Sequence, residues 1–70
     1  MSRTDVIDLQ DLRFEIRFQE LFNEGRALAF PCDAEGSVNL DELPERARSN
    51  YLFARAMVGR EYATPRIGAR

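Results

Sequence analysis

Strict alternation of apolar and polar side chains from residue 12 to residue 19 is the feature that most constrains the fold of this chain. Successive side chains of an extended strand point to opposite faces, so a period of two predicts a strand with one buried face. The apolar positions are Leu12, Phe14, Ile16 and Phe18, and the polar positions are Arg13, Glu15, Arg17 and Gln19. Since every position matches, we predict a half-buried β-strand here.

A helix is the competing interpretation of the same segment. Phe14, Phe18, Leu21 and Phe22 recur at helical spacing. Such a helix would leave Leu12 and Ile16 off its apolar face, and Gly25 would interrupt it soon afterwards. The strand is therefore the better prediction.

A turn and a second strand follow the first. The sequence Asn23-Glu24-Gly25 is typical of a turn. Residues 26–32 then alternate again, which predicts the return strand of a β-hairpin. Its apolar side is formed by Leu28, Phe30 and Cys32. Because Pro31 has no backbone N–H to donate, this strand is predicted to end at a sheet edge.

An amphipathic helix of about four turns is predicted beyond the hairpin. Asp41 is a candidate N-cap, and Pro44 is tolerated in a first turn. Pro65 disfavours helix in the residue before it, so the helix is predicted to end between Gly59 and Thr64. Its apolar side consists of Leu43, Ala47, Tyr51, Ala54 and Val58, widened by Met57. Asn50 falls near this side and is predicted to be a buried amide bonded to the hairpin backbone or the tail; a polar group that recognises a partner is the alternative.

These elements predict one α+β domain over residues 1–70, in which a β-hairpin packs on one amphipathic C-terminal helix. The packed face of the hairpin would consist of Phe14, Ile16, Phe18, Leu28 and Phe30. Residues 1–10 are either a flexible arm or an extra edge strand, and the pattern leaves both open. Residues 66–70 are predicted to form a loose tail, although Tyr62 and Ile67 could dock on the sheet.

The composition argues against several classes of site. The chain has no histidine, which removes the usual zinc, iron and copper ligand and the usual general base near neutral pH. Cys32 is the single cysteine and cannot form an internal disulfide, which fits a reducing compartment, and its alternation with Phe30 predicts a core residue. No apolar run approaches the ~18 residues of a membrane span. We expect a cytoplasmic protein that is not an enzyme, carries no cofactor and does not enter a membrane.

Charge is segregated along the chain. Residues 1–45 carry four Arg against eleven Asp and Glu, net −7, whereas residues 46–70 carry six Arg against one Glu, net +5. The two parts are predicted to pair on folding, and an acidic partner for the basic part is the alternative. Nucleic-acid binding is the second functional interpretation, but the chain as a whole is acidic and Arg46, Arg48, Arg55 and Arg60 do not form one helical stripe. We predict no strong binding to nucleic acid at physiological salt.

Residues 31–42 resemble an EF-hand calcium loop in part. When the loop is aligned on Gly36, Asp33 and Glu35 occupy ligand positions and Glu42 occupies that of the bidentate carboxylate. The first ligand position, however, is Pro31, which has no side-chain oxygen, and the preceding segment is predicted to be a strand. A degenerate calcium module is therefore the third interpretation, behind an ordinary acidic turn.

The leading functional interpretation is a non-enzymatic protein-interaction or accessory module, which binds another protein or forms a homo-oligomer. A chain this short has a thin core and gains stability from a partner that binds its folded state. Leu52 points away from the predicted buried side of the helix. The predicted contact residues are Arg48, Leu52, Arg55, Ala56 and Gly59, the small ones allowing close approach and the arginines forming a polar rim.

Several short segments carry a resemblance to known sequences. They are Ala29-Phe30-Pro31-Cys32-Asp33, Leu40-Asp41, Glu45-Arg46-Ala47-Arg48, Asn50-Tyr51-Leu52 and Gly59-Arg60-Glu61. Together, roughly from Phe14 to the end, they resemble small hypothetical proteins of proteobacteria. The resemblance implies a bacterial, stand-alone small protein, and it carries over no activity, partner or site residue.

Overall fold

The computed structural model describes residues 14–70, which form three β-strands and one α-helix. The elements are β1 (Phe14–Gln19), β2 (Ala27–Cys32), a single 3₁₀ turn (Leu40–Glu42), α1 (Glu45–Ala56) and β3 (Arg66–Ala69). The predicted α+β class is confirmed, and the predicted order of strand, strand and helix is followed by a third strand. The arm or edge strand considered for residues 1–10 lies outside the described residues.

The three strands form one antiparallel sheet in the order β2-β1-β3. The hairpin predicted from the alternating pattern is confirmed, and its register places Ile16 opposite Phe30 and Phe18 opposite Leu28. The Gln19 side-chain amide closes the connecting loop, because its Nε2 donates to the carbonyl oxygens of Glu24 at 3.0 Å and Arg26 at 2.8 Å. One face of β1 is buried at Ile16 and Phe18 while Arg17 between them is exposed, which explains the alternating pattern in the sequence.

The prediction of a loose tail over residues 66–70 is wrong, because Arg66–Ala69 form the strand β3. A hairpin leaves one edge of β1 with unpaired N–H and C=O groups, and β3 supplies their partners. Ile67 lies opposite Ile16 in this pairing. The chain reaches that edge through the segment after α1, where the Ala63 N–H donates to the Gln19 carbonyl oxygen at 2.9 Å.

The core lies between one face of the sheet and α1. Phe18 is fully buried, and its ring meets those of Phe30, Tyr51 and Tyr62 edge to face, with centroids 6.0, 6.0 and 6.3 Å away. The buried residues are Ile16, Phe18, Phe30, Cys32, Leu43, Tyr51, Ala54 and Tyr62. The predicted packing of the hairpin on the helix is therefore correct, although Phe14 and Leu28 are only half-buried against this core.

Both ends of α1 differ from the prediction. Asp41 is not its N-cap: it lies in the 3₁₀ turn, where its N–H donates to the Asn39 side chain, and α1 begins at Glu45 after Pro44. The helix ends at Ala56 rather than beyond Gly59, because the Met57 carbonyl oxygen accepts three N–H groups from the following turn. Gly59 has a φ of 89° in that turn, a conformation that helix does not allow and that glycine adopts without strain.

The predicted burial of Asn50 is wrong, because this side chain is exposed. The centre of the packed side of α1 runs through Tyr51 and Ala54, which are both buried. Asn50 lies about 100° around the helix from Tyr51 and about 40° from Ala54, so it falls about 70° from the centre of the packed side, at its margin, where the side chain can reach solvent.

Candidate protein-contact surface

The solvent side of α1 carries two large apolar side chains flanked by small ones. Leu52 and Phe53 are large apolar residues that keep 51% and 48% of their surface exposed. With the exposed residues Ser49 and Ala56 they occupy positions i, i+3, i+4 and i+7, which share one side of a helix. We call Ser49, Leu52, Phe53 and Ala56 the outer stripe. Since the opposite side of α1 packs on the sheet, the helix is apolar on two sides.

The residues predicted to form the contact surface are only partly brought together. Leu52 and Ala56 lie in the outer stripe, and Gly59 is exposed but belongs to the turn beyond α1. Arg55 is exposed and donates through Nη1 to the Tyr51 hydroxyl oxygen at 2.8 Å, with its guanidinium carbon 5.7 Å from the Tyr51 ring centroid. Arg48, the fifth residue of the predicted surface, is half-buried and lies outside the outer stripe.

Arg48 stabilises the segment that leads into α1 through hydrogen bonds within the chain. Its side chain is half-buried, with Nε donating to the Leu40 carbonyl oxygen and Nη2 donating to the Leu43 carbonyl oxygen, both at 3.2 Å. These contacts link the 3₁₀ turn to the helix: the Leu40 carbonyl oxygen also accepts the Leu43 N–H, whereas the Leu43 carbonyl oxygen is satisfied by Arg48. The guanidinium group is therefore used within the chain, which disfavours both a rim role for Arg48 and a phosphate-binding stripe along α1.

Phe53 was missing from the predicted surface. Its ring meets the Tyr62 ring edge to face at a centroid distance of 6.2 Å, so one side of Phe53 rests on the core and the other faces solvent. The signal for it was present in the sequence, because Phe53 is adjacent to Leu52 and four residues after Ser49. Its orientation depended on the helical phase, which packing against the sheet determines.

The two ends of the outer stripe differ in charge. Asp41, Glu42, Glu45 and Arg46 are exposed at the N-terminal end and sum to −2, whereas Arg55, Arg60 and Glu61 are exposed at the C-terminal end and sum to +1. The ion pair recorded within residues 14–70 joins Arg26 to Glu20 at 3.5 Å, and both belong to the acidic part of the chain. We predicted ion pairs between the acidic part, residues 1–45, and the basic part, residues 46–70. Among the described residues other than Arg70, no such ion pair is observed.

The acidic loop after β2 is held by its own first carboxylate. Asp33 Oδ1 accepts the N–H of Glu35 at 2.9 Å and that of Ser37 at 2.8 Å, which forms a compact turn. The residues before it form β2, where an EF-hand would have its entering helix. Among residues 14–70 no group of three or more His, Cys, Asp or Glu side chains is placed to hold a metal ion. The two hydrogen bonds that Asp33 accepts are those of an ordinary acidic turn.

Cys32 lies in the core, where the alternating pattern placed it. Only 2% of its surface is exposed. Burial raises the pKa of the Cys32 thiol, the nearby charges of Asp33 and Glu15 raise it further, and Arg70 partly opposes them. The thiol is thus protonated at neutral pH, which is the unreactive form.

Comparison of the chain with protein-family models, with curated protein sequences and with solved structures finds no match. In the part of the chain that the structure describes, no helix is both long and apolar enough to cross a membrane. Leu21, in the loop between β1 and β2, is also a large exposed apolar residue, and its N–H donates to the carbonyl oxygen of Glu61 in the segment that follows α1.

Proposed function

We propose that this protein is a non-enzymatic, cytoplasmic protein-interaction module whose contact surface is the outer stripe of α1. The observation that carries the proposal is the pair Leu52 and Phe53, which lie side by side, half-exposed, on a helix whose opposite side is already buried. An amphipathic helix that packs on one side only is polar on the other. A second apolar side is typical of a helix that packs against two different surfaces.

The outer stripe has the spacing by which helices dock into grooves or onto other helices. Anchors at i, i+3, i+4 and i+7 form a continuous ridge, and large central side chains flanked by small ones allow close approach. Removing the remaining exposed half of Leu52 and of Phe53 from water would contribute on the order of 1 kcal/mol each.

Phe53, one of the two large residues of the stripe, is already packed before any partner binds. Ala54, between the anchors and the turn, is fully buried, and Phe53 is held against Tyr62. A surface whose side chains are already ordered loses less conformational entropy on binding. This favours a contact role for the outer stripe over exposed apolar residues that bind nothing.

Substitution within the stripe tests the proposal. The tagged full chain is recovered from its native cells as the parent, as Leu52→Asp and as Leu52→Ser, and the co-purifying species, including untagged copies of the chain, are quantified. Phe22→Asp is the matched control, because Phe22 is 86% exposed and lies outside α1. We expect both Leu52 variants to lose a species that the parent and the control retain.

Circular dichroism and thermal melts establish that the variants are folded. Equal recovery of every species by the parent and both Leu52 variants would show that the outer stripe is not a contact surface. If Leu52→Asp unfolds, the milder Leu52→Ser decides between loss of folding and loss of contact.

A further inference from the structure

We propose that the partner of the outer stripe is a second copy of this chain, packed α1 against α1 in an antiparallel pair with two-fold symmetry. This inference rests on the proposed function, since it names the partner of the same surface. It goes beyond it by specifying the orientation of the partner and the residues that meet. A two-fold interface requires one surface that is complementary to itself.

The order of residues along the stripe meets that requirement. When two copies of α1 run antiparallel with the axis between Leu52 and Phe53, Leu52 of each copy faces Phe53 of the other. The same operation sets Ser49 of each copy against Ala56 of the other. Large side chains then meet at the centre, and small side chains meet on either side of it. The helices can therefore approach closely around a central apolar contact.

Charge at the ends of α1 selects the antiparallel orientation. The N-terminal end sums to −2 and the C-terminal end to +1, so antiparallel packing brings each acidic end to the basic end of the other copy. The two-fold operation brings the N-terminal end of α1, where Glu45 lies, to the C-terminal end of α1 in the other copy, where Arg60 lies in the turn that follows the helix. Both side chains are exposed, and neither forms an ion pair with a described residue. Parallel packing would instead set Glu45 against Glu45, and it would align the helix dipoles unfavourably.

The size of the surface sets the expected strength. One helix side per copy is smaller than the ~800 Å² per partner of a standard stable interface. A weak, concentration-dependent dimer with a dissociation constant in the micromolar range follows from this. Two ion pairs at the rim would change that constant modestly, because exposed pairs are weak.

Charge reversal tests both the partner and the orientation. Purified full chains are examined by sedimentation equilibrium from about 1 µM to about 1 mM as the parent, as Glu45→Arg, as Arg60→Glu and as an equimolar mixture of these two variants. Each variant alone replaces both attractive contacts with repulsive ones, and we expect a roughly five- to tenfold weaker dimer. The mixture should recover the parent's affinity, because in the mixed dimer both contacts again join opposite charges.

Arg17→Glu is the matched control for Arg60→Glu. It makes the same charge change on the sheet face away from α1, so it should leave the affinity of the dimer unchanged. A mixture that dimerises no better than the separate variants would overturn the antiparallel arrangement. Tighter association of Glu45→Arg with the parent than of the parent with itself would show parallel packing and also overturn it. A parent that remains monomeric throughout, while Leu52→Asp still loses a captured species, would refute self-association and leave the proposed function standing.

Discussion

Arg17 of β1 and Arg66 of β3 lie directly opposite each other on neighbouring antiparallel strands. Arg17 stands between the buried residues Ile16 and Phe18, so its side chain points to the sheet face away from α1, and Arg66 shares that face. Both side chains are exposed. Like charges directly opposite in a sheet destabilise the pairing of the two strands.

Replacing one of these arginines with an acidic residue should therefore stabilise the fold. We expect Arg17→Glu to raise the free energy of unfolding by about 0.2–1 kcal/mol, because a repulsive cross-strand pair becomes an attractive one. Urea unfolding of the parent and the variant measures the change, which should shrink as salt is added. Arg17→Glu combined with Arg66→Glu restores like charges and should lose the gain; a destabilised Arg17→Glu would contradict the register.

Phe18 and Phe22 offer a matched pair of substitutions four residues apart. Phe18 is fully buried among three aromatic rings, and Phe22 is 86% exposed. Phe18→Ala should cost about 3–5 kcal/mol and leave little folded protein, and the milder Phe18→Leu should leave a measurable transition. Phe22→Ala should change stability by less than about 0.5 kcal/mol. Comparable losses at the two positions in thermal melts would show that the core is elsewhere.

Arg48 should matter for stability, whereas its neighbour Arg46 should not. Arg48→Met keeps the apolar part of the side chain but removes the two donors to the Leu40 and Leu43 carbonyl oxygens. We expect a loss of about 1–3 kcal/mol in the free energy of unfolding. Arg46→Met removes the same charge from an exposed side chain and should be nearly neutral. Equal effects in urea unfolding would place Arg48 on the surface.

Asp33 should stabilise the loop after β2 through its acceptor oxygen rather than through its charge. Asp33→Ala removes the acceptor for the Glu35 and Ser37 N–H groups and should cost about 1 kcal/mol. Asp33→Asn keeps that oxygen and should cost less. Glu35→Ala controls for loss of an acidic side chain in the same loop. If the asparagine variant is as unstable as the alanine variant in urea, charge is the dominant contribution.

Stability should decrease at alkaline pH. Burial, with nearby acidic side chains, raises the pKa of the Cys32 thiol above its ordinary 9.0 and the pKa of the Tyr62 hydroxyl above its ordinary 10.0. Both groups then ionise more readily in the unfolded chain, so stability is unaffected below these ordinary values and is lost as pH rises through the folded pKa values. Urea unfolding across this range measures the slope, which Cys32→Ala should reduce. Stability that is constant or rises there would contradict the burial of both groups.

The hairpin and the helix could be predicted from the sequence because their signals are local. Alternation around Ile16 and Phe18 specifies a strand with one buried face, and the recurrence of Tyr51 and Ala54 specifies the packed side of a helix. The same periodicity is enough to place Leu52 and Ala56 on the outside. The burial of Cys32 could also be predicted from the alternation of apolar and polar residues.

Only the tertiary structure decided β3, the exposure of Asn50, the half-exposure of Phe53 and the internal role of Arg48. The segment Arg66–Ala69 has no strand pattern of its own, and it becomes a strand because the free edge of β1 offers hydrogen-bond partners to it. Arg48 donates to the Leu40 and Leu43 carbonyl oxygens only because a 3₁₀ turn leads into α1. Periodicity indicates which side of a helix or strand is buried. The four features named above depend instead on where separate elements contact each other. Those contacts are determined jointly by residues that are distant in sequence.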